Sequence, residues 1–281
     1  ISPQSTYTDP GSESIDGFTI RNADKETHGL QTMTQVLEKS LNTGTIFVQR
    51  LLGQETFRTY VKKFGFGEKT HIPLHTEVNG NIAALERKGR IFFATASFGQ
   101  GITVTPIQMT AAYLALANGG QLMRPHLVSE IHYADGHREI KKPEIVAQVV
   151  STRTSRLVSA MMVNVIENGH GKQAGVPGYY VAGKTGTAQI PNPNGQGYLQ
   201  DQTIGSFAGY APADHPAFVM LVKIDRPKTV QYAESSAAPV FGELAKFLLS
   251  YMQVPPERPI IKRPSPPALP VVTSAAPSST R

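Results

Sequence analysis

The stretch Gly178–Gln189, GYYVAGKTGTAQ, sets one lysine among hydroxyls and glycines. Two chemistries use such a group. Gly178 to Thr185 fit the pattern G-x-x-x-x-G-K-[ST], in which backbone N–H groups and a lysine cradle the phosphates of a nucleotide. The same residues also suit acyl transfer. Lys184 with Thr185 and Thr187 can hold a peptide carboxylate, and a backbone N–H near Thr187 can face a developing oxyanion. A second candidate pair stands upstream. In EKSLNTG, Ser40 and Asn42 interrupt a helical pattern, and both can project into a cleft from a loop between helices. Ser and Asn also favour helix ends, so the triplet reads equally as a C-cap followed by an N-cap. The chain has no cysteine, which removes disulfides, thiolate nucleophiles and cysteine metal sites together.

The two chemistries ask for different elements. A phosphate cradle needs a helix that begins at the Lys-Thr pair, so that its positive end meets the phosphates. Here Tyr179, Tyr180 and Val181 favour a strand, and Gly186 and Pro191 argue against a following helix. One feature favours nucleotide: AFVMLVKID is an apolar strand ending in Asp225, as a magnesium-binding strand would. If residues 179–190 are a strand, alternation puts Lys184 on one face with Ala182 and Gly186, and Thr185 and Thr187 on the other. Small neighbours let another backbone approach, and an edge strand of this kind can pair with an extended peptide.

Helical patterns dominate the first part of the chain. QTMTQVLEKS places Met33, Val36 and Leu37 on one face, and Leu41 to Gly44 interrupt it. TIFVQRLL and QETFRTYVKKFG continue as short helices, the last stopped by Gly65, and residues 66–90 read as loop. Thr105 is a good N-cap with Pro106 at the first helical position, Ile107, Ala111, Leu114 and Ala115 form the apolar stripe, and Gly119-Gly120 end the helix. STRTSRLVSAMMVNVIENG is a second long helix, with Leu157, Met161 and Val165 on its inner face. Three strand patterns follow: GYYVAGKTGTAQI, QTIGSFAGYAP and PAFVMLVKID. The third is apolar on both faces, which predicts a central strand covered on both sides. A last helix, SAAPVFGELAKFLLSYM, carries Val240, Leu244, Phe247, Leu248 and Tyr251 on one side. Consecutive strands with short links are antiparallel in the simplest arrangement, so the fold class is α+β, an antiparallel sheet flanked by helices. The body spans 1–252. Residues 253–281, rich in Pro, Ser and Ala, read as a disordered tail.

Bulk properties exclude some partners. The formal charge is +6 over 281 residues, but the basic residues come in pairs such as Lys62-Lys63 and Lys141-Lys142, without the aromatic-laced stripe of a nucleic-acid surface. His71, His75 and Glu77 around HIPLH would need one helical turn to share a metal, and Pro73 breaks it, so no metal is expected. No apolar run reaches the length of a membrane span, and no signal peptide stands at the start. The chain begins at Ile1, which suggests a fragment whose upstream anchor is absent.

Both motifs, in this order and setting, resemble the transpeptidase domain of class B penicillin-binding proteins. ISPQSTYTDPG, QVLEKSLNTG, VKKFGFGEKT, ASFGQGITVTPIQMTAAYLALANGG, VPGYYVAGKTGTAQ, IGSFAGYAPADHPAFVMLVKID and AAPVFGELAKFLL each look like segments of that family, in family order. The resemblance implies a serine β-lactamase-like fold, incomplete at the N-terminus, with its site where sheet and helices meet. It implies three motifs: Ser-x-x-Lys, Ser-x-Asn and Lys-Thr-Gly. Ser40 and Asn42 match the second; Lys184, Thr185 and Gly186 match the third, with Thr187 beside it. No serine has a lysine three residues on, so the expectation is a chain that starts just after its nucleophile and does not acylate by itself. A complete protein would form an acyl-enzyme with a stem peptide and crosslink it to a second. Lys184 and Ser40 would then shape the proton network and Asn42 would hold the substrate amide. Thr185 and Thr187 would bind the terminal carboxylate, and the Thr187 N–H would complete the oxyanion hole. No cofactor is implied. The partners implied are stem peptides, β-lactams and a membrane glycosyltransferase of the division or elongation machinery. The place implied is the extracytoplasmic face of the bacterial membrane, with anchoring through an absent N-terminal segment. The alternatives are a non-catalytic sensor or scaffold of the same fold, a serine β-lactamase lacking an identifiable carboxylate to activate water, and the nucleotide reading.

Overall fold

A computed structural model describes residues 1–195 and 197–259. Four short strands open the chain: β1 (Thr6–Asp9), β2 (Ser12–Ile15), β3 (Phe18–Arg21) and β4 (Gly29–Thr32), paired as antiparallel β1–β4 and β2–β3 ribbons. Helices α1 (Met33–Glu38), α2 (Asn42–Leu52), α3 (Gln54–Lys63), α4 (Arg90–Ser97) and α5 (Pro106–Ala117) follow. Then come β5 (Gln121–Met123), β6 (Glu130–His132), β7 (Arg138–Ile140) and β8 (Ile145–Gln148), paired β5–β8 and β6–β7, and the long helix α6 (Thr152–Glu167). The chain closes with β9 (Ala182–Pro191), β10 (Tyr198–Ala211), β11 (Phe218–Asp225) and α7 (Ala237–Tyr251).

Local chemistry explains the helix starts. Thr32 and Thr105 each accept the backbone N–H of a glutamine three residues on, and that glutamine's side chain returns the bond. These are reciprocal caps that satisfy two otherwise orphaned donors. Ser151 caps α6 in the simpler way, accepting from the Thr154 N–H at 3.2 Å. The expected start of α5, with Thr105 as cap and Pro106 inside, is observed. Helix α4 has no such local signal: its cap is Gly89, and its first N–H groups are met from a distant ribbon, Arg90 and Ile91 donating to the Asp16 carboxylate at 2.6 and 3.0 Å.

The sheet that matters for the site has the order β11–β10–β9, antiparallel throughout. Phe207 of β10 packs against Phe241 of α7, ring centroids 4.5 Å apart, within an apolar cluster that also holds Val181, Val222, Ala245 and Leu249. Tyr210 points to the other face and joins Ala182, Met162 of α6 and Tyr113 of α5. The sheet is therefore sandwiched, with α7 on one face and α5 and α6 on the other. This is the α+β arrangement the sequence predicts.

Three expectations need correction. β11 is an edge of the three-stranded sheet and β10 is its centre. The apolar run in β11 reflects helices on both faces, since α5 and α7 both pack on it, and not neighbours on both edges. The stripe expected to face inward on α7 faces outward: Val240, Leu244, Phe247 and Tyr251 are exposed, and Ala237, Ala238, Phe241, Gly242, Ala245 and Leu249 are buried. Close approach selects the small side, because a Cβ on Gly242 would lie 2.6 Å from the Gln173 carbonyl oxygen. On α6 the buried set is Ser155, Met162, Val165 and Ile166, while Leu157 is exposed, so the inner face is rotated from the one read off the sequence.

The tail read from Gln253 onward begins on the body. Tyr179 donates its hydroxyl to the Val254 carbonyl at 2.6 Å, the Glu257 N–H donates to the Gly178 carbonyl at 2.9 Å, and Arg258 forks onto Glu167 at 2.8 and 3.2 Å. The rest of that segment, 260–281, lies outside the described residues.

Candidate active site

Ser40 sits at the corner between α1 and α2 with φ +55°. Its N–H donates to the Leu37 carbonyl at 3.2 Å and the Leu41 N–H to the Val36 carbonyl at 2.9 Å. This pair of bonds is the helix-ending motif that normally places glycine at the left-handed position. Serine there costs about 1–2 kcal/mol of backbone strain. Of the two capping roles offered by the sequence, Ser40 does end α1, through its backbone, but Asn42 does not cap α2. The N-cap of α2 is Leu41, fully buried and without a side-chain cap bond, and Asn42 is already helical. The corner instead thrusts the Ser40 hydroxyl outward to meet β9.

There the Lys184 ammonium donates to Ser40 Oγ at 3.0 Å, and to the carbonyl and hydroxyl oxygens of Thr185 at 3.2 Å each. The first bond joins residues 144 positions apart. The strand read over 179–190 begins only at Ala182, and alternation alone misplaces the lysine's tip: the long side chain bends back to the Thr185 hydroxyl. Burial lowers Lys184 to about 8, and the Glu234 carboxylate opposes that shift.

Thr187 is exposed near the open edge of β9, and its Oγ1 accepts the Ala233 N–H at 3.0 Å. The hydroxyl is thereby oriented and keeps its own hydrogen to donate. Gly186 faces Ser206, whose hydroxyl donates to the Gly186 carbonyl at 3.3 Å; a Cβ on Gly186 would lie 2.7 Å from that hydroxyl. Asn42 stands two residues past Ser40 on the first turn of α2, with its amide donating to the Arg21 carbonyl of β3 at 2.8 Å. The structure thus brings Ser40, Lys184 and Thr185 into direct contact, sets Thr187 along the same strand, and anchors Asn42 to β3.

Below this corner lies a buried polar cluster. Asp9 accepts from the Thr43 hydroxyl at 2.5 Å, the Gly11 N–H at 3.0 Å, the His28 N–H at 2.9 Å and the Asn22 amide at 3.0 Å. Burial pushes the Asp9 carboxyl up, but these donors outweigh it and hold the group below the usual carboxylate range. Thr43 adjoins Asn42, so the cluster pins the first turn of α2 to the β1–β4 ribbon.

The phosphate reading fails on geometry. Residues 182–191 continue as strand where a helix is needed. Gly178 is glycine because its φ is +90°, and Gly183 because a Cβ there would lie 2.6 Å from the Phe207 ring. Asp225 is separated from Lys184 by the whole width of β10. At HIPLH, Glu77 accepts from the N–H and hydroxyl of Thr70 and from the His71 N–H, which makes it a loop brace. A cavity of about 310 Å³ opens elsewhere, between α3, α5 and β5; His71 lines it, and none of Ser40, Asn42 and Lys184 to Thr187 does.

Two neighbours of the site were not read from sequence. His170 follows α6 and Glu234 precedes α7, and His170 Nδ1 lies 2.8 Å from Glu234 Oε2. Nothing local marks either residue, because their meaning arises only when two distant loops converge.

Known proteins share this fold. The penicillin binding protein transpeptidase domain family matches residues 1–246. Stage V sporulation protein D of Bacillus subtilis (strain 168) is 40% identical over 255 residues, covering 90% of this chain and 39% of that protein. Penicillin-binding protein PbpB of Mycobacterium tuberculosis is 35% identical over 266 residues, covering 90% and 39%. The chain thus spans about two fifths of the length of these relatives. Among solved structures, penicillin binding protein 3 from Mycobacterium tuberculosis, complexed with aztreonam, superposes with a TM-score of 0.84 at 34% identity, covering 94% of this chain and 61% of that one. The transpeptidase domain of Burkholderia pseudomallei penicillin-binding protein 3 gives a TM-score of 0.82 at 28% identity, covering 92% and 76%. With strand, corner and motif residues in these places and these relatives alongside, the chain belongs to the penicillin binding protein transpeptidase family.

Proposed function

We propose that this chain supplies the substrate-holding part of a peptidoglycan D,D-transpeptidase. The observation that carries the reading is the bond from Lys184 to Ser40, which joins two motifs that lie far apart in sequence. The nucleophile is a serine of a Ser-x-x-Lys motif, which none of these 281 residues forms. That serine's oxygen attacks the carbonyl of the penultimate D-alanine. The peptide C–N bond breaks, and the terminal D-alanine leaves as an amine carrying the proton that the serine gave up. An amine of a second stem peptide then attacks the ester, forms the crosslink and returns a proton to the serine.

Each residue has a part that its chemistry supports. Lys184, lowered toward neutrality by burial, shares protons with Ser40 along a chain that ends at the leaving group. Thr185 and Thr187 donate hydroxyl hydrogens to the substrate's terminal carboxylate, with the Lys184 charge nearby. Gly186 keeps the strand narrow so that peptide can lie along it. Asn42 holds the substrate amide, and the Thr187 N–H faces the oxyanion. β9 is an edge strand, which suits main-chain pairing with an extended peptide. β-Lactams enter as mimics of the D-Ala-D-Ala terminus.

The place of work that fits this substrate is the extracytoplasmic side of the bacterial membrane, next to a membrane glycosyltransferase that makes the glycan. Among the described residues no helix is long and apolar enough to cross a membrane. By themselves the 281 residues are expected not to form a penicillin adduct.

The test uses a protein in which this chain is joined to its Ser-x-x-Lys segment. Lys184→Ala slows penicillin acylation at least about tenfold, equivalent to about 1.4 kcal/mol of barrier. The rate is read by fluorescent-penicillin labelling against time. An unchanged rate removes Lys184 from the mechanism.

A further inference from the structure

Two loops that are distant in sequence close on the site beside Lys184. The first follows α6. The His170 N–H donates to the Glu38 carbonyl at 3.3 Å. Gly169 lies so near that a Cβ on it would sit 2.4 Å from the same oxygen. Glu38 ends α1, two residues before Ser40, so this loop is fastened to the serine's corner. The second loop precedes α7. The Ala233 N–H is held by Thr187 Oγ1 at 3.0 Å, and the Gln231 carbonyl accepts the Thr203 hydroxyl at 2.7 Å. That loop is fastened to the strands that carry the Lys-Thr-Gly motif. The side chains of the two loops meet in the His170–Glu234 pair, 2.8 Å apart. One wall thus carries Ser40 and His170, the other Lys184 and Glu234. The bridge between the loops thus ties the end of α1, two residues before Ser40, to the strand that carries Lys184 and Thr187.

We propose that Glu234, held in place by His170, is a positioning residue for Lys184: its carboxylate sets the charge of the ammonium and keeps it directed at Ser40. A carboxylate of this exposure, 41%, would lose its effect on a neighbour if it swung into water, where its field is screened. The hydrogen bond to His170 prevents that swing. Glu234 is the acid whose charge acts on Lys184 and counters the effect of burial. The other charged side chains on the segments that converge here are Glu38 and Lys39 at the end of α1, Lys172 just past His170, Arg226 and Lys228 on the loop before α7, and Glu167, which is paired with Arg258. The consequence for the site is a lysine whose protonated fraction, lowered by burial, is raised again by a charge carried on a loop.

The proposal rests on the role given to Lys184 above, but the experiment reads the amine itself and needs no acylation, so the two can fail separately. The full chain is labelled with acetic anhydride at a series of pH values, and the acetylated fraction of Lys184 is followed by mass spectrometry. Glu234→Gln lowers the labelling midpoint by about half a unit, so that about threefold more Lys184 reacts at neutral pH. Glu234→Asp restores most of the wild-type midpoint, which a purely structural role would not require. His170→Asn shifts it in the same direction as Glu234→Gln, by less. An unchanged midpoint in Glu234→Gln, or a Glu234→Asp protein that behaves like Glu234→Gln, overturns the proposal. An unchanged midpoint in His170→Asn overturns the part given to the histidine.

Discussion

Ser40 occupies a backbone position that glycine would fill at lower energy. Its φ of +55° and the two bonds that close the end of α1 are independent of its side chain. Ser40→Gly should therefore stabilise the fold by about 0.5–1 kcal/mol, the left-handed strain relieved less the entropy that glycine regains when unfolded. Urea unfolding measures this, and a lower midpoint in the variant would contradict it. The same variant loses the acceptor for Lys184, so activity and stability should move in opposite directions. Asp9 makes the reverse case. Burial raises its carboxyl, but four donors hold the folded-state value below the usual 3.8, so the ionised form binds these donors better than the protonated form. Its contribution is complete above the unfolded value and is lost as pH falls through the lower folded value. Asp9→Asn should cost about 2–3 kcal/mol at neutral pH, with the difference from wild type shrinking in acid. Thermal melts across the acidic range check this, and a pH-independent difference would count against it.

At the scale of elements, sequence and structure part where packing chooses between two plausible faces. On α7 the larger apolar residues form a regular stripe, and the stripe faces outward. The buried side is built of Ala, Gly, Phe241 and Leu249, and at Gly242 the helix lies too close to Ala174 and Gln173 for a side chain. Periodicity registers size and spacing, but not which face has a close neighbour. Helix starts were more legible. Thr105-Pro106 and Ser151 carry their capping chemistry in a few adjacent residues, whereas α4, entered through Gly89, carries none. The glycines of β9 can be tested as a pair. Gly183→Ala drives a Cβ to within 2.6 Å of a fully buried Phe207 ring and should destabilise by about 1–3 kcal/mol. Gly186→Ala meets only the rotatable Ser206 hydroxyl and should cost less than about 1 kcal/mol. Equal losses in chemical denaturation would mean that the Phe207 contact is not what fixes glycine at 183.

At the scale of the whole molecule, the site depends on segments that meet only through the fold. Ser40 and Lys184 were legible as chemistry because motif residues keep short spacings. That they touch is a tertiary fact, and so is the convergence of His170 and Glu234, which no local pattern announces. The C-terminal segment is another case. Pro, Ser and Ala predict disorder from Gln253 on, but Val254, Glu257 and Arg258 find partners on Tyr179, Gly178 and Glu167. Composition describes what a segment can bury by itself and is silent about partners offered by the body. Ending the chain at Met252 should lower stability by about 1–3 kcal/mol through the lost buried bond to Tyr179 and the loss of neighbouring contacts. Ending it after Pro259 keeps these contacts. Calorimetry on the two truncations distinguishes them, and equal melting temperatures would show that the 253–259 contacts contribute nothing.

The open edge of β9 has a cost of a different kind. An unpaired row of backbone donors and acceptors, which the proposed reading requires for a peptide to dock, is equally available to the same edge of another molecule. Among the described residues, the protection against such self-pairing is brief: the exposed hydroxyl of Thr187, and Pro191, which ends the strand and cannot donate. With the lysine turned inward onto Ser40 and Thr185, the edge relies on Thr187 and Pro191, and an apolar, β-branched residue at 187 would favour clumping at high concentration even if the fold were intact.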